Sequence, residues 1–329
     1  MNNNLITKIL SVLLVCVLTG ALIAGCGSSG GASAGNIKIL YTIDNNDDTF
    51  RAALVESMQS TAKAKGYTLD VKLCGADVQN QVNDIKNAAS SGYNAIICRP
   101  NDASTALQLE AATTLPIVFV NNSPSIDVLK ADKYVFAGSN EGDAGTMQAE
   151  YILKKLGNKP SLNIIIIMGD KGHSAAVGRT KALKYALQDS GIDYNIVFSD
   201  YGTGWNEEAA ERLMEAFFKT EQSVDAIFCN NDSLALGAIK SMKAHNIDPA
   251  SIPVCGVDAT AEGCASIAAG EMSFTVLQSA KGQGESAVNA AALMAQGKSL
   301  SSLEWITKDH RNVFVPFEPV DASNVKKYQ

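Results

Sequence analysis

Side chains able to hold hydroxyl groups gather in this chain directly after short apolar runs. The run Ile164–Ile167 ends in Met168-Gly169-Asp170-Lys171-Gly172-His173, and a helical pattern begins at Ser174. Asp170 and His173 therefore sit on a loop, with Arg179 about a turn and a half into the next helix. The pattern recurs as IDNNDD at 43–48, CRPND at 98–102, VNNSPS at 120–125, CNND at 229–232 and GVDA at 256–259. Asn and Asp cap helices and form turns, which accounts for any one of these exits. Repeated at one end of two sheets, they make a polar cleft of bidentate donors and acceptors, suited to a polyhydroxylated ligand. Reaction chemistry is poorly represented. The three histidines stand at 173, 245 and 310, and no GxSxG, HExxH or Walker pattern occurs. Asp48 and Asp170 as a hydrolytic carboxylate pair are the one enzymatic alternative. The chain reads as a binding protein, not an enzyme, with no cofactor and no metal.

The elements that position these residues follow from periodicity. Four consecutive isoleucines read as a parallel strand buried on both faces. Strands are expected at Ile37–Thr42, Tyr67–Cys74, Ala95–Cys98, Ile117–Val120 and Tyr134–Ala137, alternating with helices at Thr49–Lys65, Val78–Ser91 and Ala103–Thr113. The alternation restarts with a helix at Asn140–Leu156 and strands at Ser161–Met168, Tyr194–Asp200, Ala226–Cys229, Val254–Gly256 and Ser273–Val276. Helices fall between them at Ser174–Asp189, Asn206–Thr220, Ser233–Ala244 and Ala259–Ala269. A helix at Lys281–Gln296 and strands at Trp305–Thr307 and Val313–Val315 finish the pattern. This is an α/β chain of two similar parallel-sheet units.

Composition agrees with an exported two-unit protein. The 329 residues are 46% hydrophobic and 19% charged, with a net charge of −7, which disfavours nucleic acid as a partner. Lys8 precedes the apolar run Ile9–Ala24, and Leu22-Ile23-Ala24-Gly25-Cys26 resembles the bacterial lipobox. Residues 1–25 are then a lipoprotein signal peptide and Cys26 the lipidation site, with 26–35 a flexible tether to the membrane. An uncleaved transmembrane anchor is the alternative. Of the remaining cysteines, Cys74, Cys98, Cys229, Cys255 and Cys264, none forms a CxxC pair, and Cys98, Cys229 and Cys255 read as small buried hydrophobes.

Taken in order, DDTF at 47–50, LPIVFVNNSPS at 115–125, GHSAAVGRT at 172–180, CNNDSLALGA at 229–238, IPVCGVDA at 252–259 and TVLQ at 275–278 resemble the type I periplasmic sugar-binding proteins of ABC transporters. Their galactose/glucose-binding branch is the nearest, and the likeness covers residues 36–318. It implies two Rossmann-like lobes joined by a three-strand hinge with a ligand cleft between them. The N-terminal lobe would hold 36–138 plus 281–313, and the C-terminal lobe 140–278 plus 315–329. The crossings would fall near Gly138–Asn140, Gln278–Ala280 and Phe314–Val315.

The resemblance also implies roles. Asp48 would accept from sugar hydroxyls. Phe50 and Trp205 would cover the two faces of a pyranose ring. Asn121, Asn231 and Asp258 would bridge hydroxyl pairs, His173 and Arg179 would bind a hydroxyl pair and the ring oxygen, and Gln278 would add an amide at the hinge. From the residues alone, Trp205 fits a core or helix-cap position equally well, Phe50 fits the core better than a site, Asp258 fits a helix cap and Arg179 an internal ion pair. Two departures bear on the ligand. Ala175 stands where the galactose/glucose branch has a carboxylate, and Arg99 stands where it has an asparagine. Arg99 would either recruit an anionic group or pair with Asp48 or Asp102. The loop Gly157–Asn163 is too short and too poor in carboxylates for a calcium site. The implied protein is a monomeric lipoprotein on the outer face of the cytoplasmic membrane. It passes a monosaccharide, a glucose- or galactose-like hexose first, to an ABC permease. Alternatives are an acidic sugar or inositol as ligand, or a sensor feeding a chemoreceptor or kinase.

Overall fold

The computed structural model describes residues 37–329; segments 1–25 and 26–35, with Cys26, lie outside the described residues. The first sheet begins with strands β1 (Lys38–Ile43), β2 (Thr68–Leu73), β3 (Ala95–Cys98), β4 (Ile117–Val120) and β5 (Tyr134–Gly138). The second contains β6 (Ser161–Met168), β7 (Asp193–Tyr201), β8 (Ala226–Cys229), β9 (Val254–Cys255) and β10 (Phe274–Leu277). The chain ends by adding β11 (Asn312–Phe314) to the first sheet and β12 (Glu318–Asp321) to the second. The orders are β2-β1-β3-β4-β5-β11 and β7-β6-β8-β9-β10-β12, parallel except for the antiparallel β12. Inner strands such as AIIC, IVFV and AIFC are wholly buried, because helices cover both faces of a parallel sheet. The edge strands β2 and β7 are more exposed and carry charges.

The helices are α1 (Thr49–Ala64), α2 (Val78–Ala88), α3 (Ala106–Ala111), α4 (Glu141–Leu156), α5 (Ser174–Asp189), α6 (Glu207–Phe218), α7 (Asp232–Ala244), α8 (Ala261–Ala268) and α9 (Ala280–Ala295). Many start from the polar strand exits: Asp48, Asn206, Asn231, Thr260 and Ser279 each accept a backbone N–H of the first turn. After β5 the chain enters α4, whose Ala144, Ala149 and Ile152 pack with Ile164 and Ile166 in the second core. After β10 it returns through α9, whose Ala287, Val288 and Ala291 pack with Ile39, Leu54 and Met58 in the first. The third passage joins β11 to β12. The two sheets thus define two α/β lobes connected at Ser139–Asn140, Gln278–Ser279 and Val315–Phe317.

Some expected elements differ. Ala103–Thr113 is a 3-10 turn at Ala103–Thr105 followed by the short α3. Trp305–Thr307 is not a strand; only Ile306 makes an isolated antiparallel bridge, to Val313. The reverse error occurs at β12, where Pro319 lacks an N–H and masks the strand, a tolerable lesion on a sheet edge. All five cysteines from Cys74 onward are buried and unpaired.

Candidate functional site

Strand order reverses between β1 and β3 in the first sheet and between β6 and β8 in the second. Chains leaving the carboxyl ends of such strand pairs diverge, and the crevice they leave is where open α/β sheets bind ligands. One cavity lies here, with about 380 Å³ of space between atoms. Its walls are Asp48, Phe50, Arg99 and Asn121 from the first lobe, and His173, Ala175, Arg179, Trp205, Asn231 and Asp258 from the second, with Gln278 at the connection. The ten residues singled out in the sequence are therefore brought together, and Ala175 joins them.

The first lobe presents a linked set of charges. Asp48 caps α1 by accepting from the Arg51 N–H at 2.7 Å, and its other oxygen pairs with the Arg51 guanidinium. Arg51 reaches Asp44 at 3.1 Å, Asp44 pairs with Arg99 at 2.9 Å, and Arg99 Nε donates to Asn121 Oδ1 at 2.8 Å. Arg99 thus pairs with neither expected acid. Asp48 is held by its cap and by Arg51, while Asp102 accepts the Ser104 N–H at 2.8 Å to start the 3-10 turn. Two carboxylates face two guanidiniums, so this wall is formally neutral.

The second lobe orients its residues through packing. Arg179 Nε donates to Glu141 at 2.7 Å, Nη1 to the Asn230 carbonyl at 2.5 Å and Nη2 to Gln278 Oε1 at 2.9 Å. Of five guanidinium hydrogens three are committed, leaving two for a ligand or for Asp258, whose carboxylate is 3.9 Å away. Glu141 reaches Arg179 because α4 and α5 touch through glycines. A Cβ on Gly145 would lie 2.0 Å from the Arg179 carbonyl oxygen, and one on Gly178 would lie 2.8 Å from Glu141 Cβ. Trp205 rests flat on Gly169, where an added Cβ would meet indole carbons at 2.1 Å. The His173 ring meets the indole edge-on, with centroids 5.2 Å apart. His173 Nδ1 accepts from the Ala175 N–H at 3.2 Å, which leaves Nε2 as the ring's donor. Asn231 caps α7 at Leu234 and donates to the Trp205 carbonyl at 3.1 Å. Asn121, Trp205 and Asp258 all have positive φ, of 61°, 56° and 120°. Such backbone costs about 1–3 kcal/mol per residue and concentrates at binding sites.

A sequence profile described as the periplasmic binding protein domain matches residues 39–299. A protein of Rhizobium meliloti named for rhizopine binding is 33% identical over 291 residues, covering 86% of this chain and 89% of that one. The chain belongs to the periplasmic binding protein family. A D-galactose/methyl-galactoside binding periplasmic protein of Haemophilus influenzae is 29% identical over 326 residues, covering 93% and 96%. Among solved structures, an ABC transporter solute binding protein of Bacillus halodurans with bound myo-inositol superposes with a TM-score of 0.79. It is 27% identical, with 90% of this chain and 98% of that one covered.

In this periplasmic binding protein, burial dominates the site's electrostatics. It holds His173 well below the usual histidine range, reinforced by Arg99 and Arg179, so the ring is neutral. It pushes Asp258 well above the usual carboxylate range despite Arg179, and no protein N–H or O–H donates to that carboxylate among the described residues. Glu141 is also raised by burial, against the pull of Arg179. The bland alternatives hold alongside the cavity positions. Phe50 and Trp205 pack on the edges of their lobes' cores, Arg179 has its acid, and Asp48 caps a helix. Asp258 is the exception, since Thr260 caps the following helix. Asp44, Arg51, Glu141 and Gly169 were not singled out in the sequence. Asp44 alone had a signal there, because it shares the first exit with Asp48.

Proposed function

We propose that this periplasmic binding protein captures a neutral, polyhydroxylated six-membered ring between its lobes and delivers it to an ABC permease from a lipid anchor at Cys26. The observation that carries this reading is the cavity itself. Phe50 from one lobe and Trp205 from the other line it together with amide, guanidinium, imidazole and carboxylate groups. Aromatic faces suit the C–H faces of a ring, and bidentate polar groups suit its equatorial hydroxyl pairs. Asp258 lacks a donor, which a ligand hydroxyl supplies. The ring is a cyclitol of the myo-inositol type, as in the Bacillus halodurans structure. Ala175 favours it, because the carboxylate expected in the galactose/glucose branch is missing there. A hexopyranose is the second reading, favoured by the Haemophilus influenzae relative.

An anionic sugar is disfavoured. Arg99, the residue that would recruit it, is already paired with Asp44 and Asn121, and Arg179 is already paired with Glu141. The ligand leaves chemically unchanged.

A thermal-shift panel of myo-inositol, glucose, galactose, ribose and glucuronate tests the reading. At about a hundred times Kd the true ligand adds roughly 2.7 kcal/mol of stability. The expected result is a shift with myo-inositol, a smaller one with a hexose and none with glucuronate. A shift with glucuronate alone contradicts the neutral-ring assignment.

A further inference from the structure

The first lobe reaches across the cleft at one point beside the cavity. Asn122 Oδ1 accepts the backbone N–H of Ser174 at 3.2 Å, and the Ser123 N–H donates to Ser174 Oγ at 2.8 Å. Asn122 is buried and is held from behind by donating to the Pro100 carbonyl at 3.1 Å. Ser174 is the first residue of α5, whose own cap, His173, satisfies only the Ala175 N–H. The N–H of Ser174 is one of the helix-end donors that no carbonyl within the helix can take. Asn122 of one lobe therefore completes the cap of a sixteen-residue helix in the other.

None of these three side chains lines the ligand cavity, although each is joined to residues that do. Asn122 follows Asn121, and Ser174 lies between His173 and Ala175. Asn122 faces instead a second, outer groove of about 650 Å³ between the lobes, to which Asp170, Lys171 and Gly172 also contribute. The contact sits between the cavity and that groove, and it exists only while the lobes are together.

We infer that Asn122, Ser123 and Ser174 form an interlobe latch that holds the closed form and sets the rate of ligand release. They are positioning residues: Asn121 and His173 are locked against one another through their neighbours, without ligand contact by the latch itself. This rests on the ligand-capture reading above. Opening returns the N–H groups of Ser123 and Ser174 to water, so each bond contributes as an ordinary net hydrogen bond.

Ser174→Ala removes the Oγ acceptor and leaves the backbone and cavity walls in place. In the full chain the expected effect is a ligand dissociation rate about three- to tenfold faster, with an association rate changed less than about twofold. Asn122→Ala, which removes the acceptor for the Ser174 N–H, is expected to release ligand faster as well. Fluorophores at Leu107→Cys and Tyr185→Cys, exposed sites on opposite lobes, report closure without any ligand. The closed fraction of the ligand-free protein falls in Ser174→Ala. An unchanged closed fraction together with unchanged release overturns the latch, as does a loss of affinity carried by the association rate. If the unaltered protein binds no polyol, the capture reading fails, and the distance measurement alone decides the latch.

Discussion

At the scale of single residues, the site is governed by what burial does to ionisable groups. His173 is neutral in the folded protein and would protonate near pH 6.5 once unfolded. Its contribution to stability is complete above about pH 6.5 and is lost as pH falls below that toward its depressed native value, at up to about 1.4 kcal/mol per pH unit. Asp232 works in the opposite direction. Burial raises its carboxyl to about 7, so stability declines as pH rises from about 4 toward 7. The two overlap, and the variant difference separates them. In His173→Gln, the melting temperature relative to the unaltered protein should rise steadily from pH 6.5 to pH 5, as followed by circular dichroism. A pH-independent difference would mean that His173 is not held neutral. The ten cavity residues were legible in the sequence because they stand at strand exits or in motifs read in order. Their supporting partners were not. Whether Arg99 meets Asp44, Asp48 or Asp102 depends on which acid is already occupied by a cap, and that is decided only when the three loops come together.

At the scale of elements, two glycines set where the site's side chains point. Gly145→Ala would drive a methyl group into the Arg179 backbone and force α4 from α5. A loss of about 1–3 kcal/mol in urea unfolding is expected, together with weaker binding because Glu141 no longer orients Arg179. Gly169→Ala is a narrower test. The methyl collides with the indole of Trp205, not with backbone. The protein should keep most of its stability yet bind at least tenfold more weakly by calorimetry, and unchanged affinity would mean that Trp205 does not contact the ligand. Strands and helices were readable where apolar runs are short, buried and bounded by polar exits. Ala95–Cys98, Ile117–Val120, Ser161–Met168 and Ala226–Cys229 fall where the pattern puts them. Apart from Ala103–Thr113, which is a 3-10 turn and a short helix, the failures lie in the last part of the chain. There, β12 depends on pairing with β10 far back in the chain, in the register Phe274–Asp321 to Leu277–Glu318, and Trp305–Thr307 has β-like residues but no strand partner beyond one bridge.

For the whole molecule, function resides in neither lobe alone. The first contributes Asp48, Phe50, Arg99 and Asn121 to the cavity and the second most of the rest, so the proposed capture of a ring requires both. Two-lobed architecture was apparent from the restart of the strand–helix alternation, and the polar exits carried the expectation of a polyhydroxylated ligand. The pairing of Arg99 that bears on the proposed ring was not legible, since it forms only in the fold. The central claim is that a neutral ring is held in the cavity between Phe50 and Trp205. It is tested most directly by calorimetric titration of myo-inositol into the full chain and into Trp205→Ala. The account predicts one saturable site in the unaltered protein and an affinity lower by on the order of 2 kcal/mol, about thirtyfold, in the variant. Equal affinities, or no binding to the folded unaltered protein, would contradict it.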